Sequence, residues 1–219
     1  MQYHFNFRIV LIHFPEFVRG LGLGLYLAAI SLLFGMLIGI IMAFAATSQN
    51  KTFKFAASGY VTLLRNVPLL VLIFLSFFGL PDVGIVMSRH MSFIFALSLY
   101  AGAYLTEVFR AGLEGIPKGI IEAGQAIGLR KLQIISNIQL PIMFRNVLPS
   151  LSNTFISLFK DTSLAASIAV IELTYQAKRV NTITFRVIEV WLIAGAMYVT
   201  ACYAIAFLLR QVERKFTIQ

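Results

Sequence analysis

Between Leu21 and Ala46 the chain carries no charged side chain. A hydrocarbon core about 30 Å thick is crossed by about 20 apolar residues in a helix, so this run spans a bilayer with some excess for tilt. In lipid, every backbone N–H and C=O must find a partner inside the chain, which makes the run helical. Four more apolar runs follow, at about 57–80, 91–110, 147–171 and 188–209. The expectation is an all-α transmembrane fold with five membrane-spanning helices, residues 1–219 forming a single domain. Composition agrees: 59% of residues are hydrophobic and 12% charged, against about 25% charged in soluble domains. A lone cysteine, Cys202, lies in the fifth run, which excludes a disulfide framework and reads as a packed small residue. The first 20 residues lack the pattern of a cleavable signal, so the first span is expected to serve as the insertion signal.

Between the spans the chain is short and polar. Met1 to Gly20 mixes Phe5, Phe7, Phe14 and Phe17 with His4, Arg8, His13, Glu16 and Arg19. It reads as an amphipathic segment at the interface, its aromatics serving as anchors. Ser48 to Phe55 reads as a loop carrying Lys51 and Lys54, Pro81 to His90 as a loop with Asp82 and Arg89, and Glu172 to Val187 as a loop with Lys178, Arg179 and Arg186. Pro68 kinks or starts a helix within the second run. Gly35-x-x-x-Gly39 in the first run has the spacing of close helix packing. Glu107 and Arg110, three apart, share a helical face, as a membrane-edge ion pair or as part of a polar path.

The formal net charge is +9. The charge lies mostly in short segments beside apolar spans, where the positive-inside rule explains it without nucleic acid. Five spans put the termini on opposite sides. With the N-terminus outside, eleven basic residues fall inside: Lys51, Lys54, Arg65, Arg110, Lys118, Arg130, Lys131, Arg145, Arg210, Arg214 and Lys215. Six fall outside: Arg8, Arg19, Arg89, Lys178, Arg179 and Arg186. This bias predicts an N-terminus outside and a C-terminus in the cytoplasm.

No Walker A loop, H-E-x-x-H or G-x-S-x-G occurs, and the three histidines are scattered, so neither a catalytic constellation nor a metal site is expected. Two features carry chemistry instead. The first lies in the segment 111–146, where Glu122 to Pro141 reads EAGQAIGLRKLQIISNIQLP. Helix formers and small residues open it, Gly128 breaks it, a second short helix follows, and Pro141 stops that helix. The second is Lys160-Asp161-Thr162-Ser163-Leu164 inside the fourth span. Ionisable groups at that depth are costly unless paired or facing water, so they form a structural pair or a polar path.

Glu122-Ala123, the glycine six residues after the glutamate, and Ile138-Gln139-Leu140-Pro141 resemble the cytoplasmic EAA loop of ABC importer permeases; Gly124 stands where that family usually has a second alanine. Gly59 to Pro81, Leu99 to Leu129, and KDTSL with Glu172-Leu173-Thr174 are similar to permeases of the polar amino acid type, the histidine, glutamine and glutamate group. The resemblance implies a type I importer permease in a bacterial inner membrane. It implies that Glu122, Ala123, Gly124 and Gly128 dock into an ATPase cleft, and that Lys160, Asp161, Thr162 and Ser163, with Glu107, line the substrate path. It also implies two ATPase subunits, which bind ATP and Mg, a second permease copy, identical or related, and an extracytoplasmic solute-binding protein. This chain itself is expected to bind no cofactor. The cargo it implies is a polar amino acid; another small polar solute such as an opine is the alternative. An ATP-independent carrier should show inverted repeats, and none is visible.

Overall fold

The computed structural model describes residues 4–217; the outermost residues of the expected interfacial segment and of the basic tail lie outside this range. All regular structure among the described residues is helical. A short α1 (Phe7–Leu11) precedes α2 (Phe14–Ala46), followed by α3 (Lys51–Asn66) and α4 (Leu69–Phe74). α4 runs on through a π turn, Leu75–Gly79, and a 3-10 turn, Leu80–Val83. Then come α5 (Arg89–Glu114), α6 (Lys118–Ala126) and α7 (Lys131–Ile134). A second π turn, Ile135–Gln139, leads into α8 (Leu140–Asp161), and a 3-10 turn, Thr162–Ile168, follows it. α9 (Leu173–Thr184) and α10 (Val187–Thr217) close the chain.

Three helices are individually long and apolar enough to cross a membrane: Phe14–Ala46, Arg89–Glu114 and Val187–Lys215. Lys51–Asn66 with Leu69–Val83, and Lys131–Ile168 with Leu173–Thr184, raise the number to five when each broken pair counts as one span. The second span breaks where Pro68 forces its predecessor out of the helical region: Val67 has φ −100° and ψ 129°.

Several boundaries differ from the sequence reading: α5 runs from Arg89 to Glu114, the fourth apolar run is α8 from Leu140 to Asp161 followed by a 3-10 turn, and α10 continues to Thr217. Four further differences have a clear local reason. The first span begins at Phe14 rather than Leu21, because Phe17 is fully buried and Glu16 lies in the first turn, where a carboxylate meets the positive end of the helix. Lys51 and Lys54 belong to α3, which Asn50 caps by accepting the Thr52 N–H at 2.9 Å. Glu172 to Val187 is mostly helix: Leu173, Gln176, Ala177 and Val180 form a buried stripe at helical spacing. Pro141 does not stop a helix but sits in the first turn of α8, where its missing N–H is tolerated, directly after a π turn.

The chain divides into two compact units. One comprises Met1–Leu32, Leu69–Leu97 and Phe155–Phe207. Its core joins Val10 and Phe17 to Leu173, Ala177 and Val180 of α9 and to Val190 and Ala194 of α10. A second cluster packs Ala28, Phe159 and Ala201, with the Tyr198 ring 5.7 Å from that of Phe159. The other unit comprises Leu33–Pro68, Ser98–Thr154 and Leu208–Gln219. Here the Gly35/Gly39 spacing acts as expected. A Cβ on Gly35 would lie 2.7 Å from Ala101 Cβ, and one on Gly39 would lie 2.8 Å from Leu105 Cβ, so only glycine lets α2 approach α5 this closely.

Candidate functional site

The segment after α5 folds into a knuckle. Pro117 precedes α6 with extended backbone, which suits a residue that lacks an N–H. α6 ends through three bonds: Ile127 N donates to Ala123 O at 3.2 Å, Gly128 N to Gln125 O at 2.9 Å, and Leu129 N to Gly124 O at 3.1 Å. This closure needs a left-handed residue, and Gly128 supplies it at φ +83°. Gln133 then holds the start of α7 by accepting the Arg130 N–H at 2.8 Å.

The four residues singled out here separate. Glu122, Ala123 and Gly128 are exposed, and Gly128 has open space where a Cβ would stand. Gly124 is buried beneath them: a Cβ there would come 2.7 Å from Ile138 Cδ1 and 3.6 Å from Leu129 Cδ1. The sequence reading passed over three exposed apolar neighbours. Ile127 is 77% exposed, Leu132 78% and Ile120 41%. Their signal was available, as apolar residues in a polar connection without a helical partner face. On α6, Ile120, Ala123 and Ile127 recur at helical spacing, an exposed apolar strip suited to docking rather than to a core.

Residues near the end of α5 are strongly paired. Arg110 donates to Glu107 Oε2 at 2.6 Å and to both Glu114 oxygens at 2.9 Å, so one guanidinium serves two carboxylates on successive turns. The expected Glu107–Arg110 ion pair is present. Glu107 borders a cavity of about 410 Å³ that Lys54, Ser58, Thr62 and Arg65 line from α3. Those four recur at helical spacing, so one face of α3 is polar. The Arg65 guanidinium stands 5.0 Å from the centre of the Tyr104 ring. Glu107 also borders a groove of about 660 Å³ between α5 and α8, floored by Ala111, Gly112 and Gly115 and reached by Asn146 and Ser150.

Lys160 to Ser163 belong to the other unit. Asp161 is the last residue of α8 and is half-buried, while Lys160 is exposed. No ion pair joins them among the described residues. Thr162 is buried, and its hydroxyl donates to Phe159 O at 2.7 Å. Gly24 leaves room for it, since a Cβ there would stand 3.2 Å from Thr162 Oγ1. Ser163 is half-buried in the 3-10 turn.

Glu172 is fully buried, and the sequence reading gave it only as part of a pattern. Its carboxylate accepts the N–H groups of Thr174 and Tyr175, each at 2.8 Å, and the Tyr198 hydroxyl at 3.0 Å. It caps α9 and ties that helix to α10. Among the described residues no group of three or more His, Cys, Asp or Glu is placed to hold a metal ion.

Several helices long and apolar enough to cross a membrane, with an exposed knuckle between two of them, are the architecture of a membrane permease. The chain belongs to the family described as binding-protein-dependent transport system inner membrane component, which matches residues 35–218. It is 31% identical over 215 residues to the probable amino-acid ABC transporter permease protein YckA of Bacillus subtilis, covering 98% of this chain and 95% of that protein. It is 33% identical over 218 residues to the nopaline transport system permease protein NocM of Agrobacterium fabrum, covering 95% and 90%. The fold matches the crystal structure of an amino acid ABC transporter with histidines at TM-score 0.87 and 29% identity, covering 97% of this chain and all of that one. The protein is thus a multi-pass inner-membrane permease subunit of an ABC importer. It acts with ATPase subunits, which carry ATP and Mg, with a second permease copy, and with a solute-binding protein.

Proposed function

We propose that residues 1–219 act as one permease domain that imports a polar amino acid and is driven through the α6–Gly128 knuckle. The exposed knuckle carries the reading. Outside the apolar spans, Ala123, Ile127 and Leu132 gain nothing by facing water, and a rigid turn transmits displacement better than a mobile loop. In this reading Glu122, Ala123 and Gly128 meet the ATPase, while Gly124 packs the knuckle against Ile138. Closure of the ATPase dimer around ATP shifts the spans between outward and inward states. A shift from 1:99 to 99:1 requires about 5.5 kcal/mol of differential affinity for the two states.

The residues proposed to line the path are, in one unit, Lys160 and Asp161 at the end of α8 with Thr162 and Ser163 in the turn after it, and, in the other unit, Glu107 on α5. Asp161 is half-buried with no ion-pair partner among the described residues, so it is free to receive an ammonium. Thr162 already uses its hydrogen on Phe159 O, which leaves only its oxygen lone pairs for a ligand.

The proposed orientation puts the N-terminus outside and the C-terminus in the cytoplasm. It is supported by how the basic residues divide. All six counted as external belong to the unit containing α9, and all eleven counted as internal belong to the unit containing the knuckle.

An amino acid fits the name of the Bacillus relative, and nopaline, an opine, that of the Agrobacterium relative. The assembled transporter in proteoliposomes, with its binding protein, separates them: ATP hydrolysis is measured across the amino acids and nopaline. Stimulation by nopaline alone would overturn the amino acid assignment.

A further inference from the structure

After Asp161 the fourth span stops winding as an α-helix. Thr162–Ile168 is a 3-10 turn of seven residues. Such runs seldom exceed about four residues, and one set within a longer helical path marks a hinge or a sequence under strain. The strain is visible where the turn ends: Ala169 is left-handed, with φ +57° and ψ +36°. A residue with a Cβ resists that region by a factor of roughly 5–30 in any equilibrium that takes it there. At Gly84 and Gly128 the chain closes a turn with glycine and avoids the cost. At Ala169 it keeps the cost, and strain of this kind clusters in segments that switch.

The surroundings hold the turn from several sides. Ala165, Ile168 and Val170 are buried, so the residues on both sides of Ala169 face the core. Ala169 N donates to Ala166 O and Val170 N to Ala165 O, each at 3.2 Å. Arg89, the first residue of α5, donates to Ala169 O at 3.3 Å. Both ends of the segment are firm: Phe159 is fully buried before it, and the fully buried Glu172 caps α9 after it. Between these ends the span bends by 50°. Inside the turn, hydroxyls stand in for backbone donors: Thr162 donates to Phe159 O and Ser167 to Leu164 O, each at 2.7 Å. In lipid such bonds let a helix change its winding without stranding a carbonyl.

We propose that Thr162–Ala169 is a hinge that rewinds between 3-10 and α-helix as the permease changes state, with Ala169 as its strained catch. A 3-10 residue advances about 2.0 Å and turns about 120°, against about 1.5 Å and about 100° for an α residue. Each residue rewound therefore draws α9 toward α8 by about 0.5 Å and turns it by about 20°. The inference rests on the reading that closure of the ATPase moves the spans between two states; it does not depend on the path residues. A static corner is the competing reading, and it gives no reason to keep alanine where glycine is less strained.

The test uses the complete transporter in proteoliposomes. Spin labels are placed at Ser157 and Thr182, exposed positions on α8 and α9, in a Cys202→Ala background, with the labelled copy paired to an unlabelled one. Label-to-label distances are read by pulsed electron paramagnetic resonance without nucleotide and with ATP trapped by vanadate. The parent is expected to show two distances whose populations exchange between the two conditions, one of them matching this structure. Ala169→Gly and Ala169→Asn both tolerate the left-handed region, and each is expected to raise the share of the matching distance over the other at least fivefold. Ala169→Val resists that region, and is expected to lower the same ratio at least fivefold. Packing alone would order the variants by size, with Gly on one side of the parent and Asn and Val on the other. That order overturns the hinge, as do ratios within twofold of the parent for both Gly and Asn; these two variants decide even if the Val protein does not assemble. A single distance in both conditions while ATP-driven uptake proceeds overturns the hinge alone. Absence of ATP-driven uptake by the parent overturns the reading on which it rests.

Discussion

Gly128 allows the coupling role of the knuckle to be separated from its mere folding. Its backbone is left-handed at φ +83°, and a Cβ added there meets nothing within 4 Å. Within this chain, a side chain at Gly128 therefore carries only a backbone cost, about 1–2 kcal/mol for an ordinary L-residue. That cost is a factor of roughly 5–30 in the local closing equilibrium. Asn enters the left-handed region more readily than Ala. If the glycine served the fold alone, Gly128→Ala would be worse than Gly128→Asn, and Gly128→Asp would resemble Asn. If the ATPase lies against this position, the order inverts: Ala is the mildest change, and Asn and Asp put a polar side chain into the contact. The expected result is partial transport for Ala and loss of transport for Asp, with the protein still inserted in the membrane. The assay is amino acid uptake into proteoliposomes, paired with copurification of the ATPase and a thermal melt of the complex. Normal uptake by Gly128→Asp with the ATPase still bound would sink the reasoning.

Cysteines at Ser136 and Thr182, both exposed positions, in the Cys202→Ala background should differ in labelling by an impermeant thiol reagent on intact cells. Thr182 labels and Ser136 does not; the reverse pattern inverts the topology. Asp161→Asn keeps the shape and removes the charge, so substrate-stimulated ATPase activity should fall more than basal activity. Equal loss of both, together with a heat-labile complex, would make Asp161 a structural residue. Glu172→Ala removes a helix cap and a buried partner of Tyr198, with an expected stability loss of about 2–3 kcal/mol. Its melting temperature should drop while substrate selectivity is retained. An unchanged melting temperature with altered selectivity would move Glu172 from the scaffold into the path.

Single runs of residues were enough to show the membrane class, up to five apolar spans and the glycine break after α6. An uncharged stretch such as Leu21 to Ala46 has one physical solution in lipid, and no knowledge of its neighbours is needed to find it. The Glu107–Arg110 pair was legible for the same reason, since residues three apart on a helix meet whatever surrounds them. The glycine after α6 was legible because a helix end closed by a left-handed residue is a local event.

Matters of facing lay beyond such reasoning. Gly124 looked like surface, but Ile138, brought round by the π turn, covers it. Glu172 to Val187 looked like a loop because its outer face is basic; it is a helix because Val10 and Phe17, distant in sequence, and the neighbouring Val190 bury its inner stripe. Thr162 looked available to a ligand until its hydrogen was found on Phe159 O. Nothing local marks Ala169 as left-handed; among the groups that hold it is Arg89, at the start of α5. Composition and short-range spacing decide whether a segment is a helix and whether it can enter a membrane. Which side of that helix is covered depends on residues that only the packed chain brings against it, such as Ile138 for Gly124 and Val10 and Phe17 for the stripe of α9.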